Sequence, residues 1–215
     1  MQDQPAAGEI IPPPVKSERI PFALKEFGNI PLNSVSAWVA VSERNLGKIA
    51  MEGIKITESE REKNNKLEQI FDEEAVKAGV KTRRRQCVYA TPLPPEKTQH
   101  KLTQNGDVIL EIKLDPSSDT ILVADAERYS LANDRLMAGF DNSEDSAREV
   151  AKTYWKDAVP LKKYIEQQKK VNAENEHVNY DYETTFPLNP FDFTMPEILI
   201  PSDISATKIK VHSTI

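Results

Sequence analysis

Strand-like and helix-like segments of this sequence occur in groups and do not alternate. Apolar residues recur at every second position of DVILEIKL (107–114), which is typical of a β-strand, and a turn-forming Asp-Pro-Ser-Ser joins it to the strand-like TILVAD (120–125). Three helix-like segments follow before the next strand-like one. A regular alternation of strand and helix would predict a parallel sheet, whereas grouped elements are typical of α+β proteins. The sequence therefore predicts the α+β class.

The first predicted elements are a strand and two helices. Apolar and other residues alternate over 35–41, which predicts a strand, and Ser42 is expected to cap a short helix that Gly53 ends. A capping-box pattern at Thr57 and Glu60 predicts a second helix at about 58–78. The other predicted elements are a strand at CVYAT (87–91), helices at about 125–137 and 144–156, a helix from Pro160, a long loop at 172–194, and closing strands at EILI (197–200) and KIKVHS (208–213).

Residues 34–215 are predicted to form a single α+β domain. The preceding residues 1–33 are rich in proline, which predicts an extended arm with polyproline character around Pro12 to Pro14. The same composition is also typical of a disordered leader. The arm is a candidate contact surface for a partner protein.

The charge and cysteine content exclude several classes of protein. The formal net charge of -6 argues against broad nucleic-acid binding, although Lys81–Arg85 could form a local basic patch. Cys87 is the only cysteine, so the chain has neither an internal disulfide nor a cysteine zinc site. The sequence contains no apolar run long enough to span a membrane and no signal-peptide pattern, so a cytoplasmic location is expected.

The common motifs of phosphate-binding and metal-dependent enzymes are missing from the sequence. With seven glycines, it contains neither a G-x-G-x-x-G nor a G-x-x-x-x-G-K-[ST] motif. Its three histidines do not form an H-E-x-x-H motif, and no G-x-S-x-G motif is present. No metal site is expected.

One acidic residue has an unusual position. Glu197 begins the apolar run EILI, which Pro196 and Pro201 enclose. A carboxylate at the start of a buried strand is expected at the rim of a sheet, where it opens into a cleft and avoids the full cost of burying a charge. Such a carboxylate can bind a sugar hydroxyl or stabilise a cationic transition state. An ordinary glutamate at a strand edge is the alternative.

Three segments together resemble the ADP-ribosyltransferase superfamily. They are AWVAVSERNLGKIAMEGIKI (37–56), RRRQCVYATPLPPE (83–96) and PEILIPSDISATKIKV (196–211). They resemble the opening strand and helix of that family, its arginine-bearing segment before a V-Y-A strand, and its glutamate-bearing strand. They occur in the family's order, and the likeness extends over about residues 35–212.

The resemblance implies a fold, a reaction and a set of site residues. The fold would be a split, mixed or antiparallel sheet around a cleft with flanking helices, and the reaction an NAD-dependent mono-ADP-ribosyl transfer or a closely related NAD hydrolysis. NAD would be the substrate, and no metal is implied. Glu197 matches the catalytic glutamate, which binds the nicotinamide ribose and stabilises the oxocarbenium ion. The cofactor-binding positions would be Val39, Ser42, Arg84, Arg85 and Tyr89. The arginines are equally typical of an exposed basic turn.

The first strand departs from the family pattern. Val39 stands where the family has a histidine or arginine, and valine cannot donate a hydrogen bond to a ribose or a diphosphate. Either another residue, such as Arg44 or Arg85, supplies that contact, or the domain is a degenerate binding or scaffolding module of a larger assembly. An unrelated α+β structural protein is a third possibility.

The partners implied by the resemblance are an acceptor macromolecule and an antitoxin-like or assembly partner. The acidic balance favours a protein over a nucleic acid as acceptor. The proline-rich arm is the expected contact surface for an assembly partner, and no membrane partner is expected.

Overall fold

The structure, a computed structural model, describes residues 35–56, 65–92, 108–174, 191 and 193–214. Within these ranges the chain forms β-strands and α-helices with three short 3-10 turns. The strands are β1 (Val35–Val41), β2 (Val88–Ala90), β3 (Val108–Leu114), β4 (Leu122–Asp125), β5 (Val159–Pro160), β6 (Pro196–Ile200) and β7 (Ile209–Thr214). The helices are α1 (Leu46–Glu52), α2 (Lys66–Lys77), α3 (Ala126–Met137), α4 (Ser143–Asp157) and α5 (Leu161–Glu174).

The strands form two antiparallel sheets that meet at one bridge. One sheet has the order β1-β3-β7 and the other the order β2-β6-β4-β5. Trp38 of β1 and Thr91, which follows β2, exchange both backbone hydrogen bonds at 2.9 Å and connect the sheets. The α+β class is therefore confirmed, and all the described strand pairs are antiparallel.

An apolar core, here called the inner core, lies on one face of both sheets. Side chains of the two sheets meet those of α1 and α5 there, and fully buried members include Leu110, Ile112 and Val123. A second cluster, the outer core, lies on the opposite face of the β2-β6-β4-β5 sheet. Helices α2, α3 and α4 cover this face through residues such as Phe71 and Trp155. The four-stranded sheet is therefore buried on both faces.

Gly53 ends α1 where the chain comes very close to the segment before β7. Its φ of 79° lies in the region that favours glycine, and an added Cβ atom would lie 2.0 Å from the carbonyl oxygen of Ile204. The neighbouring Ile54 pairs with Ile204 through two backbone hydrogen bonds of 2.9 Å. The prediction that Gly53 ends this helix is confirmed.

Most predicted elements occur at their predicted positions, including the first strand, α3, α4 and the helix that follows Pro160. Three predictions are wrong in detail. Ser42 makes no side-chain capping bond, because a 3-10 turn at Glu43–Asn45 precedes α1. Helix α2 begins at Lys66, because the extended Asn65 caps it by accepting from the Leu67 N–H. Helix α5 continues to Glu174, into the predicted loop.

Several predictions concern residues outside the described ranges. The arm at 1–33, the capping box at Thr57 and Glu60, and the greater part of the loop at 172–194 belong to this group. The single-domain boundary at residue 34 also stays a prediction.

Candidate functional site

The pairing of the strands determines which side chains share a face with Glu197. In the antiparallel register Glu197 lies opposite Ala124, and Leu199 lies opposite both Leu122 and Tyr89. Side chains that pair directly across strands point to the same face. The apolar residues on this outer face belong to the outer core. Ile198 and Ile200 alternate with them along β6, point to the opposite face and belong to the inner core. Glu197 therefore points towards α2, α3 and α4.

Glu197 is a buried and fully paired carboxylate. It is the second residue of β6 and is 7% exposed. Its Oε2 accepts a hydrogen bond of 3.0 Å from Arg84 Nη2, and its Oε1 accepts from the same nitrogen at 3.3 Å and from the Tyr154 hydroxyl at 2.9 Å. The prediction that Glu197 begins its strand and opens into a cleft is wrong, because the carboxylate lies under the helices and is held by a guanidinium.

Arg84 lies between two aromatic rings. A 3-10 turn at Arg84–Gln86 presents it, and its guanidinium carbon is 3.5 Å from the ring centroid of Tyr129 and 4.4 Å from that of Tyr89. The flat guanidinium suits such stacking, which contributes more where water is excluded. The Tyr89 hydroxyl donates to the backbone carbonyl of Arg84 at 2.5 Å, which ties strand β2 to the turn.

A second carboxylate completes the site. Glu68 of α2 is 5% exposed, and its Oε1 lies 3.4 Å from Arg84 Nη1 and accepts a hydrogen bond of 2.6 Å from the Tyr129 hydroxyl. We call the connected group the Arg84 cluster; its members are Glu68, Arg84, Tyr89, Tyr129, Tyr154 and Glu197. Helices α2, α3 and α4, strands β2 and β6, and the turn before β2 each contribute to it.

The charges of the Arg84 cluster do not balance, since one guanidinium faces two carboxylates. Burial opposes the charge on Arg84, but the nearby Glu197 and the other members outweigh it and raise the Arg84 pKa well above its usual value. Burial, and then the charge of Glu197, raise the pKa of Tyr154 well above its usual value, so its hydroxyl keeps its proton and donates to the carboxylate. The cluster thus holds Glu197 at a fixed position.

Two polar atoms of the Arg84 cluster have no hydrogen-bond partner. Arg84 Nε and Glu68 Oε2 are both buried, and neither has a partner within the described ranges. Buried polar atoms are nearly always paired in proteins, and an unpaired one costs roughly 1–3 kcal/mol. One donor and one acceptor are therefore left over beside a fixed carboxylate, which fits a ligand rich in oxygen and hydroxyl groups.

Of the predicted site residues, Arg84, Tyr89 and Glu197 come together and the others do not. Arg85 points to α2, where its Nε lies 2.7 Å from Asp72 Oδ2. Val39 lies on the inner face and packs against the inner core. Ser42 follows β1, and its backbone carbonyl accepts the N–H of Asn45. A cofactor-binding role for Val39, Ser42 and Arg85 stays a prediction without support from this geometry.

Sequence reasoning missed four residues on the outer face. They are Trp38, Glu68, Tyr129 and Tyr154. Trp38 shares its face with Thr91, and Thr91 with Tyr89, because side chains alternate along a strand and directly paired residues point the same way. The sequence offered one usable signal, the aromatic residue directly before Val39. The helical residues gave none, since the contacts of Glu68 and Tyr129 with Arg84, and of Tyr154 with Glu197, arise only in the folded chain.

Comparison of this chain with protein-family models, with curated proteins and with solved structures finds no match. Within the described ranges, no helix is both long enough and apolar enough to cross a membrane. The same part of the chain contains no group of three or more histidine, cysteine, aspartate or glutamate side chains placed to hold a metal ion.

Proposed function

We propose that this protein is an NAD-dependent mono-ADP-ribosyltransferase in which Glu197 is the catalytic glutamate. The observation that carries the proposal is the contact between Arg84 and Glu197, which are 113 residues apart in the sequence. The resemblance to the superfamily assigns these two residues to one site, and the fold brings their side chains to within 3.0 Å. The two antiparallel sheets of the described residues, joined by the bridge between Trp38 and Thr91, also fit a split sheet.

The proposed reaction breaks the bond between the nicotinamide nitrogen and C1′ of the ribose. The bonding electron pair leaves with nicotinamide, and positive charge develops on C1′ and the ring oxygen. A fixed anion stabilises this charge more than it stabilises the neutral ribose, which lowers the barrier. A nucleophile of the acceptor then forms the new bond to C1′ and releases its proton to solvent. Attack by water instead gives NAD hydrolysis.

Four residues of the Arg84 cluster have separate tasks in this reaction. Glu197 faces the developing cation, and Tyr154 helps to hold its carboxylate in place by donating a hydrogen bond of 2.9 Å to Oε1. Arg84 is a positioning residue, because two hydrogen bonds to Glu197 fix the direction of the carboxylate. The unpaired Arg84 Nε and Glu68 Oε2 would bind the oxygen and hydroxyl groups of the substrate. A protein is the favoured acceptor, since the net charge of -6 disfavours nucleic acid.

A non-catalytic binding module is the second candidate function. The Glu197 carboxylate is 7% exposed and already has three hydrogen bonds, so a substrate must displace at least one partner to reach it. In this case the Arg84 cluster would only connect the helices to the sheet, and the protein would act in an assembly with a partner chain.

Nicotinamide release from NAD distinguishes the two candidates. We expect the wild-type protein to release nicotinamide and Glu197→Gln to reduce the turnover by ~100-fold or more, the scale for losing one electrostatic stabiliser. Glu74→Gln is the matched control, since Glu74 is an equally buried carboxylate of α2 that pairs with Lys77 and lies outside the Arg84 cluster, and we expect its turnover to stay at the wild-type level. No release by the wild type would favour the binding module. Equal release by Glu197→Gln would remove Glu197 from the mechanism.

A further inference from the structure

The side chain of Trp38 has a buried donor without an acceptor. Its backbone is satisfied, because Trp38 and Thr91 exchange two hydrogen bonds of 2.9 Å. Its indole Nε1–H is buried and has no hydrogen-bond acceptor among the described residues. An indole N–H is a donor only, and a buried tryptophan usually finds a partner for it. The missing acceptor is therefore a distinct feature of this strand.

Trp38 lies in the same row as Glu197 on the outer face. Trp38 pairs with Thr91, and continuing the β2–β6 register by one residue beyond Ala90 brings Thr91 opposite Glu197. Two strand spacings of ~4.8 Å separate the first and last members of this row, so their Cα atoms lie roughly 10 Å apart. A ribose with its attached phosphate can extend over that distance. Trp38 thus lies within one ligand's length of the Arg84 cluster.

On the other side of Trp38 the polar residues are already paired with one another. Trp38 lies opposite Glu111 of β3 in the register. Glu111 Oε1 accepts from Ser36 Oγ at 2.6 Å and from Lys113 Nζ at 2.5 Å, and the same Nζ lies 2.7 Å from Ser36 Oγ. These three side chains satisfy each other. The indole N–H of Trp38, in contrast, has no acceptor in the part of the chain that the structure describes.

We propose that Trp38 binds the substrate, with its indole N–H donating a hydrogen bond to an oxygen of the ribose–phosphate part while Glu197 faces C1′. This inference rests on the proposed function and identifies a contact of the same site. The inference makes Trp38, the residue directly before Val39 on β1, the hydrogen-bond donor that Val39 cannot be. Such a bond satisfies the buried N–H only when the ligand is present, so this N–H contributes to affinity and not to the stability of the free protein.

Calorimetric binding of ADP-ribose, which has no nicotinamide bond to break, tests this inference without turnover. We expect Trp38→Phe, which keeps a ring and removes the N–H, to weaken binding roughly tenfold, the equivalent of one hydrogen bond. Its melting temperature should equal or exceed that of the wild type, because an unpaired donor is removed. Trp155→Phe is the matched control. Trp155 donates to the Phe71 carbonyl at 2.7 Å, so this variant should lose stability and keep its affinity for ADP-ribose.

The two tryptophans also give two separate signals in an NMR spectrum of the ¹⁵N-labelled protein. We expect ADP-ribose to shift the indole N–H resonance of Trp38 strongly and that of Trp155 little. Unchanged affinity of Trp38→Phe, or no binding of ADP-ribose by the wild type, would overturn the inference. Its failure is distinct from failure of the proposed function, which the nicotinamide release of Glu197→Gln decides independently.

Discussion

The inner and outer cores cover opposite faces of the same sheet and differ in what they bury. The inner core is an apolar cluster of which Ile198 of β6 is typical, and the buried carboxylate that alternates onto this side, Asp125 of β4, accepts backbone N–H groups of Glu127, Thr194 and Met195. The outer core contains similar apolar side chains, but the neighbouring residue Glu197 adds a buried carboxylate that pairs with Arg84 and lies in one cluster with Glu68. Burying ions costs several kcal/mol each, and apolar side chains of similar volume are often as stable or more so. The inner core accounts for the fold, and we attribute the charges of the outer core to function.

The largest effect is expected from removing the central cation of the outer core. Arg84→Met should lower the free energy of unfolding by about 3–5 kcal/mol, because Glu68 and Glu197 would be buried without a positive partner. Urea denaturation at neutral pH measures this. A loss below about 1 kcal/mol would mean that the two carboxylates do not depend on Arg84.

Truncating an apolar side chain of the inner core should lower the stability of the protein without changing its catalytic activity. Ile198 is 1% exposed, so Ile198→Ala should cost about 3 kcal/mol through the cavity that it leaves. We expect the folded fraction of this variant to release nicotinamide at nearly the wild-type rate. A loss of turnover that exceeds the loss of folded protein would show that the two faces are not separable.

The outer core should also make stability depend on alkaline pH. The pKa of Tyr154 is raised above its ordinary value of 10.0, so the unfolded chain loses this proton first. The stability contributed by the folded, protonated Tyr154 is complete below pH 10 and decreases above it, by about 1.4 kcal/mol per pH unit. Tyr154→Phe should reduce the slope of unfolding free energy against pH by that amount between pH 10 and 11. An unchanged slope would contradict the burial of this hydroxyl.

The smallest effect is expected at the arginine next to Arg84. Arg85 is partly exposed and pairs with Asp72, so Arg85→Met should cost no more than about 1 kcal/mol and leave nicotinamide release unchanged. Burial raises the pKa of Asp72 despite the opposing charge of Arg85, so the folded state favours the protonated acid. Without Arg85, the free-energy cost of keeping the Asp72 carboxylate ionised in the folded protein increases. The difference in unfolding free energy between Arg85→Met and the wild type should therefore be greatest at neutral pH. It should decrease as the pH falls and Asp72 takes up a proton. Unfolding curves from pH 3 to 7 measure this.

Local patterns in the sequence predicted the elements but not the faces of the sheet. The alternation of apolar residues gave β1 and β3, and the helices predicted at about 125–137 and 144–156 occur as α3 and α4, because such patterns depend on residues close together in the chain. The partner of Glu197 is 113 residues away, and no local pattern indicates that a helix covers its side of the sheet. The cleft predicted for this residue was wrong for that reason.

The choice between Trp38 and Val39 was also beyond local reasoning. The two residues are neighbours on β1, so their side chains point to opposite faces of the sheet. The bridge between Trp38 and Thr91 determines which of the two side chains shares a face with Glu197. The start of α2 shows the same limit on a smaller scale, since the helix predicted at about 58–78 includes Asn65, which is extended and caps α2 at Lys66.

Replacing the charges of the outer core by apolar side chains tests the central claim most directly. In the triple variant Glu68→Leu/Arg84→Met/Glu197→Leu the buried ions are removed together, so none is left unpaired. We expect the free energy of unfolding to equal that of the wild type or to exceed it by ~1–4 kcal/mol, while nicotinamide release from NAD is lost. A triple variant several kcal/mol less stable than the wild type would show that the charges hold the fold together. Equal nicotinamide release from the two proteins, including none from either, would contradict the assignment of these charges to function.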